Sequence, residues 1–198
     1  EISECLVGSE MCIRDSRDTV INSYYGEMAT VIQYPMSNTS WAAPKPADEG
    51  YQIAYSVDAD GNSIYTADMT DEQKYEAALQ ASISFFKAAG YTFDEATGKF
   101  TAAPEGAEMT YEVIIPGGGT GDHPAFGILT AAKEALATIG ITLQINDPSD
   151  SSVWNNALEA NTAEMWAGAW GATVDPDMYQ VYHKDSSATS IKNWGFPY

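Results

Sequence analysis

The 198-residue chain has few cysteines, histidines and basic residues, and each shortage excludes a class of function. Its only cysteines, Cys5 and Cys12, lie in the first sixteen residues, and its only histidines are His123 and His183. A structural zinc site needs a full set of Cys and His ligands, so we predict no metal site and no cofactor. Because 9 basic residues face 28 acidic ones, the net charge is -19, which argues against nucleic acid or an anionic membrane surface as a partner.

Long apolar runs and the common catalytic signatures are also missing. No run is long enough to predict a membrane-spanning helix. The sequence has no Gly-x-Ser-x-Gly nucleophile elbow, no P-loop ending and no dinucleotide-binding fingerprint. We therefore predict that the chain is not an enzyme. The alternative from the catalytic class is an α/β hydrolase or transferase that uses Asp122, His123 and Asp175.

The first sixteen residues differ in character from the rest of the chain. Residues 1–16 show neither helical nor strand periodicity and lack the order of a signal peptide. They resemble a translated sequencing-adapter peptide, so we expect this segment to be non-native. Residues 17–198 are then the part that folds.

The chain before residue 70 predicts little regular structure. We expect a helix over residues 17–25 that stops at Gly26, an extended segment over 28–34, and a loop over 37–50. An Asp-Gly turn at residues 58–62 between β-rich runs predicts a hairpin. Asp58, Asp60 and Asn62 stand at alternating positions, as ligands do in a calcium-binding loop. Gly61 and Met69 do not fit the EF-hand pattern, however. A turn accounts for the same residues.

The clearest helix covers residues 70–90. Thr70 and Gln73 form a capping box, apolar residues recur at steps of three and four, and Gly90 ends the helix. Residues 91–103 then predict a short hairpin.

From Met109 onward the sequence alternates between strand and helix patterns. The predicted strands are residues 110–115, 141–145 and 164–170, and the predicted helices are 122–139 and 152–160. This alternation predicts an α/β fold with a mostly parallel sheet flanked by helices, beside the β-hairpin insertion.

The segment from Trp166 to His183 follows the last predicted strand and leads into a short helix. In open α/β sheets, ligands bind in the crevice beyond the carboxyl ends of the strands. Trp166, Trp170 and Tyr179 supply apolar walls there, and nearby carboxylates supply polar contacts. The alternative is a buried strand and a capped helix without a ligand.

A glycine loop after the first of these strands is a second candidate site. Residues 117–121 contain four glycines and lead to Asp122 and His123 at the start of a helix. Backbone N–H groups of this loop, with His123, would suit a ligand carboxylate. The alternative is a plain turn in which Asp122 caps the helix.

Several segments, in this order, resemble the C-terminal part of the family 5 solute-binding proteins, the peptide-binding components of ABC importers. They are Tyr24-Tyr25-Gly26 followed by Pro35, the helix end Phe85-Phe86-Lys87-Ala88-Ala89-Gly90-Tyr91, the junction Ile139-Gly140-Ile141, and Trp170-Gly171-Ala172 with Asp175-Pro176-Asp177. The resemblance implies one lobe of a two-lobed, type II periplasmic-binding-protein-like fold, which closes around its ligand by hinge motion. It also implies that residues 17–198 are a partial domain, without the N-terminal lobe, the secretion signal and the final segment.

The resemblance also implies which residues touch the ligand. Trp170 matches the tryptophan that lines the ligand groove, and His123 lies near the place where some members hold the peptide carboxyl end. The aspartate that holds the peptide amino group is not at its usual place, where the chain reads Ala172-Thr173-Val174. Either Asp175 takes this role or the anchor is absent, and Ala167 replaces a basic residue of some members. The candidate ligand-binding residues are Trp170, Asp175, His123, Trp166, Thr173, Tyr179 and Gly119.

The function implied by the resemblance is that of an extracytoplasmic receptor that delivers a peptide to ABC permease subunits. The whole protein would lie in the periplasm or on the outer face of the cytoplasmic membrane, held by a lipid anchor. Nickel, haem or another solute remains the alternative ligand within the same family. An independent interaction module is a further alternative.

Overall fold

The computed structural model describes residues 16–171, 177–187 and 194. Within these residues the chain forms five α-helices, one 3-10 helix and five strands. The helices are α1 (Ser16–Tyr25), α2 (Asp71–Ala88), α3 (Pro124–Thr138), α4 (Ser151–Glu159) and α5 (Tyr179–Tyr182), and the 3-10 helix is Gly26–Met28. The strands are β1 (Thr92–Asp94), β2 (Lys99–Ala102), β3 (Thr110–Ile114), β4 (Thr142–Asn146) and β5 (Met165–Trp166). None of the described helices is long and apolar enough to cross a membrane.

The segment between α1 and α2 is less regular than its β-branched residues predict. The segment expected to be extended over residues 28–34 starts in the 3-10 helix, which ends at Met28. Ala29 is extended, with φ -137° and ψ 155°, and no strand forms from there to Tyr34. Its contacts to the following loop run through side chains: Gln52 N–H donates to the Tyr34 hydroxyl at 2.9 Å, and Ala54 N–H donates to Gln33 Oε1 at 3.0 Å. Strand propensity needs a partner strand, and the described chain offers none here.

The predicted hairpin around residues 58–62 is reduced to a turn closed by one antiparallel bridge, Val57 to Ser63. The Asp58 carboxylate accepts the N–H groups of Asn62 at 2.8 Å and Asp60 at 3.0 Å. It also accepts the Asn62 side-chain amide at 3.2 Å. Both oxygens of the Asp58 carboxylate therefore serve to close the turn. Among the described residues, no cluster of three or more Cys, His, Asp or Glu side chains is arranged to hold a metal ion.

This turn makes the stability of the chain depend on pH. The hydrogen bonds, led by that from the Asn62 backbone, lower the pKa of Asp58 below its ordinary value of 3.8. A carboxylate whose pKa falls on folding stabilises the fold above its unfolded pKa, and this stabilisation is lost as the pH falls through the folded pKa. We therefore expect Asp58→Asn to lower the Tm slightly at neutral pH, with a difference that is lost at acid pH, as the pH falls below 3.8 and through the folded pKa. Asp60→Asn controls for the same charge change in the same loop, and an Asp58→Asn effect that stayed constant with pH would contradict the assignment.

Helix α2 forms as its end signals predict. The Thr70 hydroxyl accepts the Gln73 N–H at 3.3 Å, and the Thr70 N–H donates to Gln73 Oε1 at 2.9 Å, so the capping box is complete. The helix buries one face that includes Ile83 and Phe86. The hairpin β1–β2 follows, also as predicted.

Three parallel strands form the sheet, in the order β4-β3-β5, as the alternating pattern predicts. Strand β5 is shorter than the predicted residues 164–170. After Trp166, one more backbone bond joins the Ala167 N–H to the Ile114 carbonyl at 3.1 Å, and β3 has its last residue at Ile114. With no neighbour beyond that point, residues 168–170 leave the sheet.

The sheet is covered on both faces, because alternate residues of β3 point to opposite sides. On one face, Val113 joins a large core with residues of α2, α3, β2 and β4. On the other face, Ile114 packs with Leu158 of α4 and with tryptophans. The predicted parallel sheet flanked by helices is therefore confirmed.

The hairpin is fixed to the end of α3 at the Ile139-Gly140 junction. The Phe100 N–H donates to the Ile139 carbonyl at 2.8 Å. Gly140 has a φ of +86°, and a Cβ there would stand 2.7 Å from the Phe100 carbonyl oxygen. Only glycine fits this close backbone approach, which explains the stop signal after the predicted helix.

Candidate ligand-binding site

The carboxyl ends of β3, β4 and β5 meet at one edge of the sheet because the three strands are parallel. Three segments leave this edge. They are the glycine loop of residues 116–123 after β3, the loop of residues 147–150 after β4, and residues 167–171 after β5. The structure thus places the two predicted sites, the glycine loop and the tryptophan segment, at the same edge.

The glycine loop is closed by Asp147, the first residue after β4. The Gly119 N–H donates to Asp147 Oδ1 at 3.0 Å, and the Gly121 N–H donates to Asp147 Oδ2 at 3.1 Å. In the structure these two N–H groups, which we expect to face a ligand carboxylate, face Asp147. A carboxylate does occupy the loop, but it belongs to the chain.

His123 caps helix α3, a role that we assigned to Asp122 in the turn alternative. The His123 Nδ1 accepts the Ala125 N–H at 3.1 Å, while the Asp122 carboxylate accepts the Thr120 hydroxyl. Because the lone pair of Nδ1 is engaged at the helix end, only Nε2 remains to meet a ligand. Asp122 and His123, which the hydrolase alternative uses, thus make hydrogen bonds to the loop and to the helix end.

Trp166 and Trp170 belong to a cluster of tryptophans at the end of β5. Trp166 contacts the ring of Trp154 with centroids 6.1 Å apart and that of Trp194 at 5.6 Å. Trp194 in turn meets Trp170 edge to face at 4.5 Å. Trp170 is the outermost of the four and is 50% exposed. The cluster therefore offers an aromatic surface beside the sheet edge.

A hydrogen bond from Trp154 and the absence of a side chain at Gly168 help to position this tryptophan cluster. The Trp154 indole N–H donates to the Ala167 carbonyl at 3.0 Å, which ties α4 to the segment after β5. A Cβ on Gly168 would lie 3.1 Å from Trp166 and 3.3 Å from Trp154. Without a side chain, Gly168 leaves room for the rings of Trp154 and Trp166. Trp166 contacts Trp194, which in turn contacts Trp170.

Tyr179 lies in another contact group. Its ring stacks on His183, with centroids 4.3 Å apart and an interplanar angle of 16°, and it is 50% exposed. The Asp177 carboxylate accepts the Tyr179 N–H at 2.8 Å, although the N-cap residue of α5 is Met178 and its side chain makes no capping bond. The other two candidates, Thr173 and Asp175, lie outside the described residues.

Sequence reasoning missed Asp147, Trp154 and Trp194. Asp147 carries a usable signal, because it directly follows a parallel strand next to the strand that precedes the glycine loop. Trp154 lies on α4 in a pattern that predicts ordinary core packing. For Trp194 the sequence shows no signal, since it follows α5 without a recognisable element.

Comparison with known proteins identifies the fold. No protein-family model matches the chain, and no curated protein sequence matches it significantly. Among solved structures, the oligopeptide-binding protein AppA of Bacillus subtilis, in complex with a nonapeptide, matches with a TM-score of 0.61 and 17% identity. The match covers 96% of this chain and 31% of AppA.

NikA of Brucella suis, in complex with Fe(III)-EDTA, matches with a TM-score of 0.51 and 16% identity. That match covers 86% of this chain and 28% of NikA, so this chain spans less than a third of the length of either protein. The chain has the fold of one lobe of the type II periplasmic binding proteins. The resemblance to family 5 solute-binding proteins is thereby confirmed at the level of the fold.

Proposed function

We propose that the chain is the C-terminal lobe of an extracytoplasmic solute-binding receptor that delivers peptides to an ABC permease. The observation that carries the proposal is the half-exposed Trp170, which stands at the carboxyl edge of a sheet whose fold is shared with an oligopeptide-binding protein. This edge is where open α/β sheets bind ligands. The structural neighbours are substrate-binding proteins and not enzymes, which supports a receptor without catalytic activity.

A peptide would use the two kinds of surface found at this edge. Its side chains would lie against Trp166 and Trp170, whose flat apolar faces accept many side-chain types. Its backbone and amino group would contact Thr173 and Asp175. In this proposal the Gly119 N–H keeps its hydrogen bond to Asp147 and would not contact the peptide. His123 contributes only through Nε2, and Tyr179 through its exposed ring.

The location and the partners follow from this function. The whole protein would lie outside the cytoplasmic membrane, held by a lipid anchor, and would dock on permease subunits. The second lobe would supply the opposite wall of the groove, and hinge motion would close it.

Ligand-dependent stability tests the proposal. We expect the protein expressed from its whole reading frame to show a higher Tm with pools of short peptides, because a ligand that binds only the folded state stabilises it. At a ligand concentration one hundred times the Kd, the expected gain is about 2.7 kcal/mol. Free amino acids of the same composition are the matched control. Nickel, Fe(III)-EDTA and haem are the rival ligands, and a gain with a rival alone contradicts the peptide assignment.

The same experiment separates a receptor from a hydrolase. Peptide recovered after incubation should be intact by mass spectrometry. Cleaved peptide, with cleavage abolished in His123→Ala, would favour the enzyme instead.

A further inference from the structure

The glycine loop is built around the Asp147 carboxylate. Each oxygen of this carboxylate accepts one backbone N–H, from Gly119 at 3.0 Å and from Gly121 at 3.1 Å. Two such N–H groups converging on one carboxylate form an anion-binding nest. The aspartate comes from the neighbouring strand end, so the contact joins the loops after β3 and β4.

The sequence of the loop fits this role residue by residue. Gly119 and Gly121 have φ values of +76° and +71°, which turn their N–H groups toward Asp147 at no steric cost. A Cβ on Gly117 would stand 2.5 Å from Asp147 Oδ1, and a Cβ on Gly119 would stand 3.1 Å from the Ser149 backbone. The three glycines therefore allow the close approach of the carboxylate.

We propose that Asp147 is a specificity-determining residue, an internal occupant that fills the carboxylate site of the glycine loop and keeps external carboxylates out of it. Its consequence for a peptide rests on the proposed function. The peptide carboxyl end would not be held at this loop, because the N–H groups are engaged and the negative charge of Asp147 repels a second carboxylate. Uncharged or positively charged parts of the ligand would face this corner of the sheet edge.

A purely structural latch between the two loops would show the same hydrogen bonds, but it would respond differently to mutation. If the nest is a carboxylate site, removal of the internal carboxylate leaves a site that a small external carboxylate fills. A latch that acts by packing alone would not be restored by a carboxylate in solution. Acetate is the probe that separates the two, since it carries the same functional group as the aspartate side chain.

The first test measures the stability of Asp147→Ala against acetate at constant ionic strength, with chloride as the reference anion. At an acetate concentration about ten times its Kd, the folding equilibrium constant of the variant should rise about tenfold. The unmodified protein should show no acetate-specific gain. Asp150→Ala is the matched control, because Asp150 caps α4 in the same loop by accepting a single N–H, from Ser152. If Asp147→Ala does not fold without acetate, Asp147→Ser, which also leaves space for the ion, takes its place.

The second test compares a peptide that has a free carboxyl end with its amidated form. The ratio of their affinities should shift toward the free acid by about tenfold in Asp147→Ala relative to the unmodified protein, as one added charged hydrogen-bond pair allows. Absence of acetate-specific stabilisation in the Asp147 variants overturns the inference even if peptides bind. Acetate rescue without any peptide binding supports the nest and overturns the proposed function instead.

Discussion

The Phe86→Ala variant should lose about 3–5 kcal/mol of its free energy of unfolding, because it empties the centre of the core. Phe86 is fully buried on α2. Its ring meets Tyr91 edge to face at 5.1 Å and lies 5.4 Å from Phe100. The deletion therefore removes buried apolar area and aromatic contacts that hold the hairpin β1–β2 against the helix. Urea denaturation followed by circular dichroism measures the change.

Phe85→Ala is the matched control for this prediction. It makes the same substitution one residue earlier on α2, at a side chain that is only partly buried. We expect a cost of about 1 kcal/mol there. Equal losses in the two variants would show that the helix itself, and not the core position, determines the effect.

Elements with local signals were predictable from the sequence. Thr70 as the N-cap and Gly90 as the end of the helix are both recognisable in the sequence, and α2 lies between them. The alternation after Met109 predicted a parallel sheet because three buried strands joined by helices have few other arrangements. Because the strands are parallel, their carboxyl ends lie at one edge, which is why the candidate site could be proposed there from the sequence.

Features that depend on distant partners could not be predicted in this way. Residues 28–34 carry strand propensity, but the described chain provides no neighbour for them to pair with. The end of strand β5 follows from the end of its partner β3. The sequence of β5 alone does not show where β3 ends. Strand propensity shows that a segment can adopt the extended conformation, but the segment forms a strand only where a neighbouring strand pairs with it.

The candidate site shows the same division. The glycines of residues 117–121 predicted a loop that gathers N–H groups, and the structure has such a loop. The carboxylate that fills it, Asp147, lies 28 residues from Gly119, so only the pairing of the two strands before these loops could join them. Asp122 and His123 are both able to cap a helix, and only the backbone path decides that His123 does so.

Replacing Trp170 with alanine should weaken peptide binding by about thirtyfold, with little loss of stability. Trp170 exposes half of its surface and rests edge to face on Trp194 at 4.5 Å, so its base is fixed while one side stays open. An aromatic side chain that is held in place and is open to a ligand is the usual form of an energetic hot spot, for which truncation costs about 2 kcal/mol or more. Calorimetric titration with a peptide found in the stability screen measures the change.

Trp41→Ala is the matched control, because Trp41 is 81% exposed and lies in the loop of residues 37–50, away from the strand ends in sequence. We expect this variant to bind peptide as the unmodified protein does. Similar losses of peptide affinity in the two variants would mean that any exposed tryptophan contributes to binding, whatever its position. An unchanged affinity in Trp170→Ala would place the peptide elsewhere on the fold. The contrast between the two tryptophans is informative because both deletions remove the same side chain, and only one of these side chains stands where three parallel strands end.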